Sequence, residues 1–191
     1  MGTVPPRSAG LLLYRLVDRP RRGHAQERAE ERAGALEVLL VHPGGPYWAR
    51  RDEGWWTIPK GEIDEGEDEL VAAEREFSEE LGLAAPPGPR TPLGEVVQAG
   101  GKRVRAWAVA GDLDVSAVES GTFELEWPPR SGTLRTFPEI DRAAWYGLEE
   151  ARLKLLAGQL PLLDRLKAAV IDDASLRPPG DVSLRPPGDA G

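Results

Sequence analysis

Three glutamates, Glu76, Glu79 and Glu80, have the spacing of side chains that bind a metal ion together. On a helix, residues three and four apart share one face, so these carboxylates would lie side by side. Neighbouring carboxylates repel one another unless a cation lies among them, and hard divalent ions such as Mg²⁺ prefer oxygen ligands. From these three residues alone, a solvated acidic helix face is the alternative.

The charge around these glutamates is concentrated in one segment. Residues 61–80 contain ten carboxylates and one arginine, a net charge of −9, whereas the whole chain carries −8. The rest of the chain is therefore close to neutral. The net negative charge of the protein is therefore concentrated in this one segment, which indicates a single local site.

A helix is predicted over residues 68–81, because this stretch lacks Gly and Pro, is rich in Ala, Leu and Glu, and is followed by Gly82 as a stop signal. Its apolar residues form a stripe that would face a core. They are Leu70, Ala73, Phe77 and Leu81. The three glutamates lie on a different face, where a metal ion has access to them.

Residues 61–83 resemble the signature box of the Nudix hydrolases, with every specified position filled. The matching residues are Gly61, Glu67, Arg75, Glu76, Phe77, Glu79, Glu80, Gly82 and Leu83. Residues 137–151 resemble, less specifically, the strand and helix start near the end of many Nudix domains. Together with the flanking strands, the resemblance extends over about residues 8–172.

The resemblance implies an α/β fold, a Nudix α/β/α sandwich around a mixed β-sheet. It implies that Glu76, Glu79 and Glu80 bind Mg²⁺, with Mn²⁺ able to substitute, and that the backbone carbonyl of Gly61 joins them. Glu67 and Arg75 would pair and hold the helix face in place. Which glutamate acts as the general base stays open.

Candidate substrate-binding residues lie on both sides of the box. A loop beginning at residues 43–46 carries Trp48, Arg50, Arg51 and Trp56, which would stack a base and neutralise phosphates. The alternative for Trp55 and Trp56 is that they wedge this loop onto the core. Lys60 directly precedes the box, where its positive charge could bind a phosphate. Arg103 and Arg105 form a basic strand face, for which simple solvation is the alternative.

Residues 56–61 and 65–68 resemble the entry to the box in Nudix hydrolases of dinucleoside polyphosphates and in bacterial nucleoside triphosphate pyrophosphohydrolases. We therefore expect cleavage of a phosphoanhydride bond in a nucleotide with a polyphosphate chain. ADP-ribose and inositol pyrophosphates stay open as alternative substrates. A non-catalytic Nudix module that senses a ligand or binds a partner is the alternative function, although the complete set of glutamates favours an enzyme.

The predicted organisation is an N-terminal tail (1–7), one domain (8–172) with a charged surface insertion (18–34), and a flexible tail (173–191). Within that last segment, an eight-residue unit rich in Pro and Gly occurs twice. Strands are predicted at 10–17, 36–42, 94–98 and 102–110, and helices at 148–157 and 161–171. Residues 112–136 are interrupted by Gly, Pro and Ser. The resemblance implies that a loop outside the box can add one more carboxylate, and Glu119, Glu124 or Glu126 could supply it.

The composition of the chain excludes several classes of protein and of binding partner. The chain has 191 residues and no cysteine, which excludes disulfides and thiolate metal sites. A pI near 5.0 argues against general binding to nucleic acids or membranes, and no apolar run approaches membrane-spanning length. We expect a cytoplasmic protein whose partner is a small nucleotide or polyphosphate. Its oligomeric state is open, a homodimer included.

Overall fold

The computed structural model describes residues 7–17 and 36–176 of the chain. The strands are β1 (Arg7–Leu16), β2 (Leu36–Pro43), β3 (Lys60–Glu62), β4 (Thr91–Val97), β5 (Arg103–Ala110), β6 (Thr122–Glu126), β7 (Leu134–Pro138) and β8 (Ile140–Gly147). The α-helices are α1 (Glu69–Leu81), α2 (Leu148–Lys154) and α3 (Leu160–Leu176). The predicted insertion at 18–34 and most of the two predicted tails lie outside the described residues.

Most of the strands form one mixed sheet. Its order is β4-β5-β1-β2-β8, and β3 pairs with β1. The β1 and β5 strands are parallel, whereas β1 is antiparallel to both β2 and β3. The predicted neighbours β1 and β2 are therefore confirmed, as is the antiparallel pairing of β4 with β5. A separate two-stranded hairpin consists of β6 and β7.

Helices cover both faces of the sheet. Successive side chains of a strand point to opposite faces. Leu12 accordingly packs with residues of α2 and α3, whereas Leu11 and Leu13 pack with residues of α1. Burying apolar side chains on both faces drives this layered packing. The expected α/β/α sandwich is confirmed.

Helix α1 begins and ends where the sequence predicts. The side chain of Asp68 accepts hydrogen bonds from the backbone N–H groups of Leu70 and Val71, which caps the first turn. Gly82 ends the helix in the left-handed conformation, with φ of 67°. The predicted stripe faces the core, where Phe77 is fully buried.

Three details differ from the sequence prediction. Residues 112–136, where no strand was predicted, contain β6 and the start of β7. Helix α3 continues to Leu176, so residues 173–176 are helical although they were assigned to a flexible tail. Strand β1 begins at Arg7, which was assigned to the N-terminal tail. Within the described residues, no helix is long and apolar enough to cross a membrane.

Candidate active site

Gly61 brings the backbone of β3 against the acidic face of α1. Pairing of Gly61 with Ala9 of β1 fixes the position of β3 in the sheet. A Cβ atom at Gly61 would overlap the carboxylate of Glu76. Only glycine permits this close approach, so the carboxylate and the Gly61 backbone are neighbours.

Glu80 is held by the same strand. Its Oε2 accepts a hydrogen bond of 3.0 Å from the backbone N–H of Lys60. Burial, together with the smaller effect of the negative charges of Glu76 and Glu139, raises the pKa of Glu80 to about 7 against the opposing charge of Lys60. A carboxylate in these surroundings gains stability from a nearby cation.

Arg75 lies among the other carboxylates of the helix. Its Nη1 donates to Glu76 Oε1 at 2.7 Å and to Glu79 Oε2 at 3.0 Å. Its other donors reach Glu67 and the carbonyl oxygen of Glu62. Hydrogen bonding from Arg75 lowers the pKa of Glu67 to about 2, so Glu67 is ionised at neutral pH. Arg75 therefore fixes the side chains of three glutamates.

The donor set fits a hard divalent cation. Glu76, Glu79 and Glu80 offer carboxylate oxygens, and Gly61 offers a carbonyl oxygen beside Glu76. Among residues 7–17 and 36–176, no three carboxylate or imidazole side chains converge as the ligands of one metal ion. Instead, the guanidinium of Arg75 lies between two of the carboxylates. The space between these carboxylates therefore favours positive charge. The groups that would hold a metal ion there are the side chains of Glu76, Glu79 and Glu80 and the carbonyl of Gly61.

Glu139 is a further candidate for the site that was not predicted from the sequence. Its backbone N–H donates to Gly121 and its carbonyl oxygen accepts from Gly44, which places it beside the end of β2. Its charge is close enough to raise the pKa of Glu80. The sequence offers one signal only, a glutamate directly before the last strand of the sheet.

The three glutamates suggested from the sequence as additions to the site lie on the chain between β5 and β7. Glu119 is exposed and its backbone N–H donates to Leu81 at the end of α1. Glu124 and Glu126 belong to β6 in the separate hairpin. Glu126 accepts a hydrogen bond from the backbone of Gly132. None of them is among the main charges that shift the pKa of Glu80.

Two lysines lie beside the carboxylates. Lys60 is half-buried, and burial lowers its pKa, as does the positive charge of Lys102. Lys102 Nζ is 3.9 Å from a carboxylate oxygen of Glu62. Two cations at this edge of the site suit a ligand that carries several negative charges. Of these two lysines, only Lys60 was predicted from the sequence to bind a phosphate.

The loop between β2 and β3 presents aromatic rings and arginines. The rings of Trp48 and Trp55 are 5.1 Å apart at an interplanar angle of 34°, and the Arg51 guanidinium lies 5.0 Å from the Trp55 ring centre. Arg50 and Arg51 are exposed, and Trp48 is 37% exposed. We call Trp48, Arg51 and Trp55 the aromatic surface. It has the chemistry of a base-stacking platform.

Trp56 lies in the core and not on the substrate-binding surface that was predicted for it. It is only 2% exposed, and its Nε1–H donates to Asp52 at 2.8 Å. A ring so deeply buried offers no face to a nucleotide. Trp56 therefore wedges the loop onto the core, which was the alternative for this residue.

Arg103 and Arg105 lie on the exposed face of β5 and are paired with acidic residues. Arg103 Nη1 is 2.6 Å from Glu95, and Arg105 Nε is 3.5 Å from Glu69. Neither contacts Glu76, Glu79 or Glu80. These positions give no support to a substrate contact, and we assign none to either arginine.

A mixed sheet between helices, with a glycine-containing strand lying against a carboxylate-bearing helix, is the arrangement of a Nudix domain. The sequence profile of the NUDIX domain matches residues 26–166. The chain belongs to the Nudix family. Proteins of this family generally use divalent metal ions.

Characterised relatives match parts of the chain. The 8-oxo-(d)GTP phosphatase of Mycolicibacterium smegmatis is 35% identical over 117 residues, which cover 53% of this chain and 34% of that protein. The RNA pyrophosphohydrolase of Caulobacter vibrioides is 43% identical over 53 residues, 25% of this chain and 31% of that protein. The chain thus spans about a third of the length of these relatives.

Solved structures share the fold. A Caenorhabditis elegans Ap4A hydrolase aligns with a TM-score of 0.54 at 24% identity, covering 87% of this chain and 98% of that one. A mutT/nudix family protein from Listeria innocua aligns with a TM-score of 0.56 at 20% identity, covering 92% of this chain and 100% of the other. At these identities the likeness shows the fold alone.

Proposed function

We propose that this protein is a divalent-metal-dependent hydrolase that cleaves a phosphoanhydride bond in a nucleotide with a polyphosphate chain. Nucleoside triphosphates and dinucleoside polyphosphates are the favoured substrates. The proposal is supported by the names of relatives, a phosphatase of 8-oxo-(d)GTP and a pyrophosphohydrolase of RNA. Both names describe hydrolysis at the phosphate groups of a nucleotide or of RNA.

One observation carries the proposal: Glu76, Glu79 and Glu80 share one face of α1 beside Gly61, and all three make fixed contacts. Arg75 holds the first two, and the Lys60 backbone holds the third. A merely solvated acidic face has no need of such contacts. Fixed carboxylates of this kind are what a catalytic metal site requires.

The surrounding residues fit the chemistry of hydrolysis. Glu76, Glu79, Glu80 and the Gly61 carbonyl would hold a divalent cation, which would neutralise phosphate charge and lower the pKa of the attacking water. Lys60 and Lys102 place positive charge where phosphate oxygens would lie. Water adds to phosphorus as the bridging P–O bond breaks, and its proton passes to a carboxylate. The candidate acceptors are Glu80 and Glu139, whose negative charge contributes to the raised pKa of Glu80.

The nucleoside end of the substrate is assigned to the aromatic surface. Trp48 offers an exposed ring, and Arg50 and Arg51 lie beside it on the same loop. Aromatic faces bind bases of every type, so this surface does not choose among nucleotides. The length of the phosphate chain would then decide specificity.

The test is hydrolysis of a substrate panel with Mg²⁺ or Mn²⁺ and identification of products by chromatography. The panel contains nucleoside triphosphates, dinucleoside polyphosphates, 5′-triphosphorylated RNA, ADP-ribose and an inositol pyrophosphate. We expect metal-dependent turnover of nucleotides, and the products identify the phosphorus attacked. Tight ligand binding without turnover of any compound would support the sensor alternative and contradict the proposal.

A further inference from the structure

His42, near the end of β2, is a fully buried ionisable residue outside the acidic helix. Its Nε2 is 2.9 Å from the carbonyl oxygen of Arg51, and its Nδ1 is 2.6 Å from Asp141 Oδ1. A carbonyl oxygen only accepts hydrogen bonds, so Nε2 is the donor in the first contact. Buried polar groups with two such partners are fixed in orientation.

A β-bulge brings Asp141 to this position. The register of β2 against β8 shifts between His42 and Pro43, which pair with Arg142 and Ile140. Asp141 is the extra residue between those two partners. Bulges commonly redirect a side chain beside a functional site. Here the bulge aligns the carboxylate of Asp141 with the imidazole of His42.

The Arg51 carbonyl connects this buried pair to the aromatic surface. It accepts a second hydrogen bond, 3.2 Å long, from Arg142 Nη2. The backbone N–H of Arg51 donates to the carbonyl of Trp48 at 2.7 Å. The position of Arg51 therefore sets the position of Trp48 and of the guanidinium over Trp55.

The same loop is held at its other end near Glu139. The backbone N–H of Gly44 donates to the Glu139 carbonyl at 2.8 Å. His42 also packs edge-on against Trp56, with ring centres 5.3 Å apart. The exposed residues of the loop thus lie between two buried anchors, one beside the carboxylates and one at His42.

We propose that His42 is a positioning residue for the substrate, which fixes the Arg51 carbonyl and thereby the aromatic surface that receives the nucleoside. This inference rests on the proposed function for its effect on catalysis. The structural part of the proposal is that the hydrogen bond from His42 Nε2 orders the rings of Trp48 and Trp55. This part does not depend on any enzymatic activity. His42 touches neither the acidic helix nor the place of the phosphates, so it acts on binding.

Two substitutions of His42 by residues with an amide side chain distinguish the hydrogen bond of Nε2 from that of Nδ1. His42→Gln keeps a donor at the ε position, whereas His42→Asn keeps one only at the δ position. We measure kcat and KM with the best nucleotide of the panel. We also record the far-ultraviolet exciton couplet of the stacked Trp48 and Trp55 rings, identified by its loss in Trp48→Phe. Thermal unfolding of each variant monitors the fold.

We expect His42→Asn to lose the couplet and to raise KM about tenfold with kcat within about twofold, the scale of one lost buried hydrogen bond. His42→Gln is expected to retain the couplet and a KM within about twofold of the wild-type value. Equal behaviour of the two variants would overturn the proposal, as would a fall in kcat at constant KM.

Two further outcomes remain decisive. If the wild-type protein hydrolyses no nucleotide, the proposed function fails, and the couplets of the two variants still decide whether His42 orders the aromatic surface. If His42→Asn does not fold, His42→Gln decides alone. It must retain both the couplet and the KM, and loss of either contradicts the inference.

Discussion

Arg75 and Glu67 are joined by two parallel hydrogen bonds. Arg75 Nε donates to Glu67 Oε1 at 2.9 Å, and Nη2 donates to Oε2 at 2.8 Å. The same guanidinium reaches Glu76 and Glu79 through Nη1. One side chain thus connects the loop that precedes α1 to two proposed metal ligands.

Arg75→Lys is expected to lower kcat/KM about tenfold to a hundredfold, the range for residues that orient metal ligands. Lysine keeps the charge but cannot form the paired hydrogen bonds of a guanidinium. Arg75→Ala should lower activity further and should also lower the melting temperature, because Glu67 loses its partner. Kinetics and thermal unfolding measure both effects. Full activity in Arg75→Lys would show that the paired geometry has no role.

Gly61→Ala is expected to remove most activity with little loss of stability. The new methyl group would displace the Glu76 carboxylate, which is the flexible end of a side chain. Gly147→Ala is the matched control, because a Cβ at Gly147 meets nothing within 4 Å and φ there is −61°. If Gly61→Ala were as active as Gly147→Ala, the closeness of Gly61 and Glu76 would be irrelevant to catalysis.

The stability of the metal-free protein should depend on the ionisation of Glu80. Burial raises the pKa of Glu80 from an ordinary value of 4.5 to about 7. The folded state therefore binds this proton more tightly than the unfolded chain, and stability falls as the pH rises from 4.5 through about 7.

Glu80→Gln removes this ionisation, so with a chelator present the variant should exceed the wild type by about 2 kcal/mol in free energy of unfolding at about pH 8. The difference should be much smaller at about pH 5, where Glu80 is protonated in the folded state. Urea unfolding at both pH values measures it. A difference that does not change with pH would contradict the raised pKa.

Glu139→Gln is expected to lower kcat about tenfold or more, since the charge of Glu139 acts on Glu80 and Glu139 is a proposed proton acceptor. Glu124→Gln, an exposed substitution in β6, is the control and should leave kcat unchanged. Steady-state kinetics of both variants compares the two positions. A larger loss in Glu124→Gln would move the additional carboxylate to the hairpin.

The sequence predicted those parts of the molecule whose signals are local. The bounds of α1 follow from its cap residues and its apolar stripe, and the residues of β1 and β2 follow from continuous apolar runs. The glutamates of the helix share a face because of helical spacing alone. These features need no knowledge of the rest of the chain.

Features that depend on pairing across the sheet could not be predicted. Asp141 meets His42 only through the bulge between β2 and β8, across a separation of 99 residues. Glu139 reaches the site for the same reason, because it directly precedes β8. Spacing along the chain does not give the register of distant strands.

The tryptophans show the same limit. Trp55 and Trp56 are adjacent and equally suited to stacking a base or packing in a core. Trp56 is buried because its backbone forms an isolated bridge to Leu155 and its ring packs against His42 and Tyr146. Those neighbours come from three different elements, which the sequence alone does not bring together.

Glu79→Gln is the most direct test of whether the carboxylates of α1 support metal-dependent hydrolysis. Glu79 is 58% exposed, so its substitution should leave the fold intact. The measurement is the rate of nucleotide hydrolysis as a function of Mg²⁺ concentration, for the wild type and for Glu79→Gln with an unchanged melting temperature. We expect that kcat falls about a hundredfold in Glu79→Gln, or that much more Mg²⁺ is needed to reach the wild-type kcat. Wild-type turnover at the same Mg²⁺ concentration in this variant would contradict it.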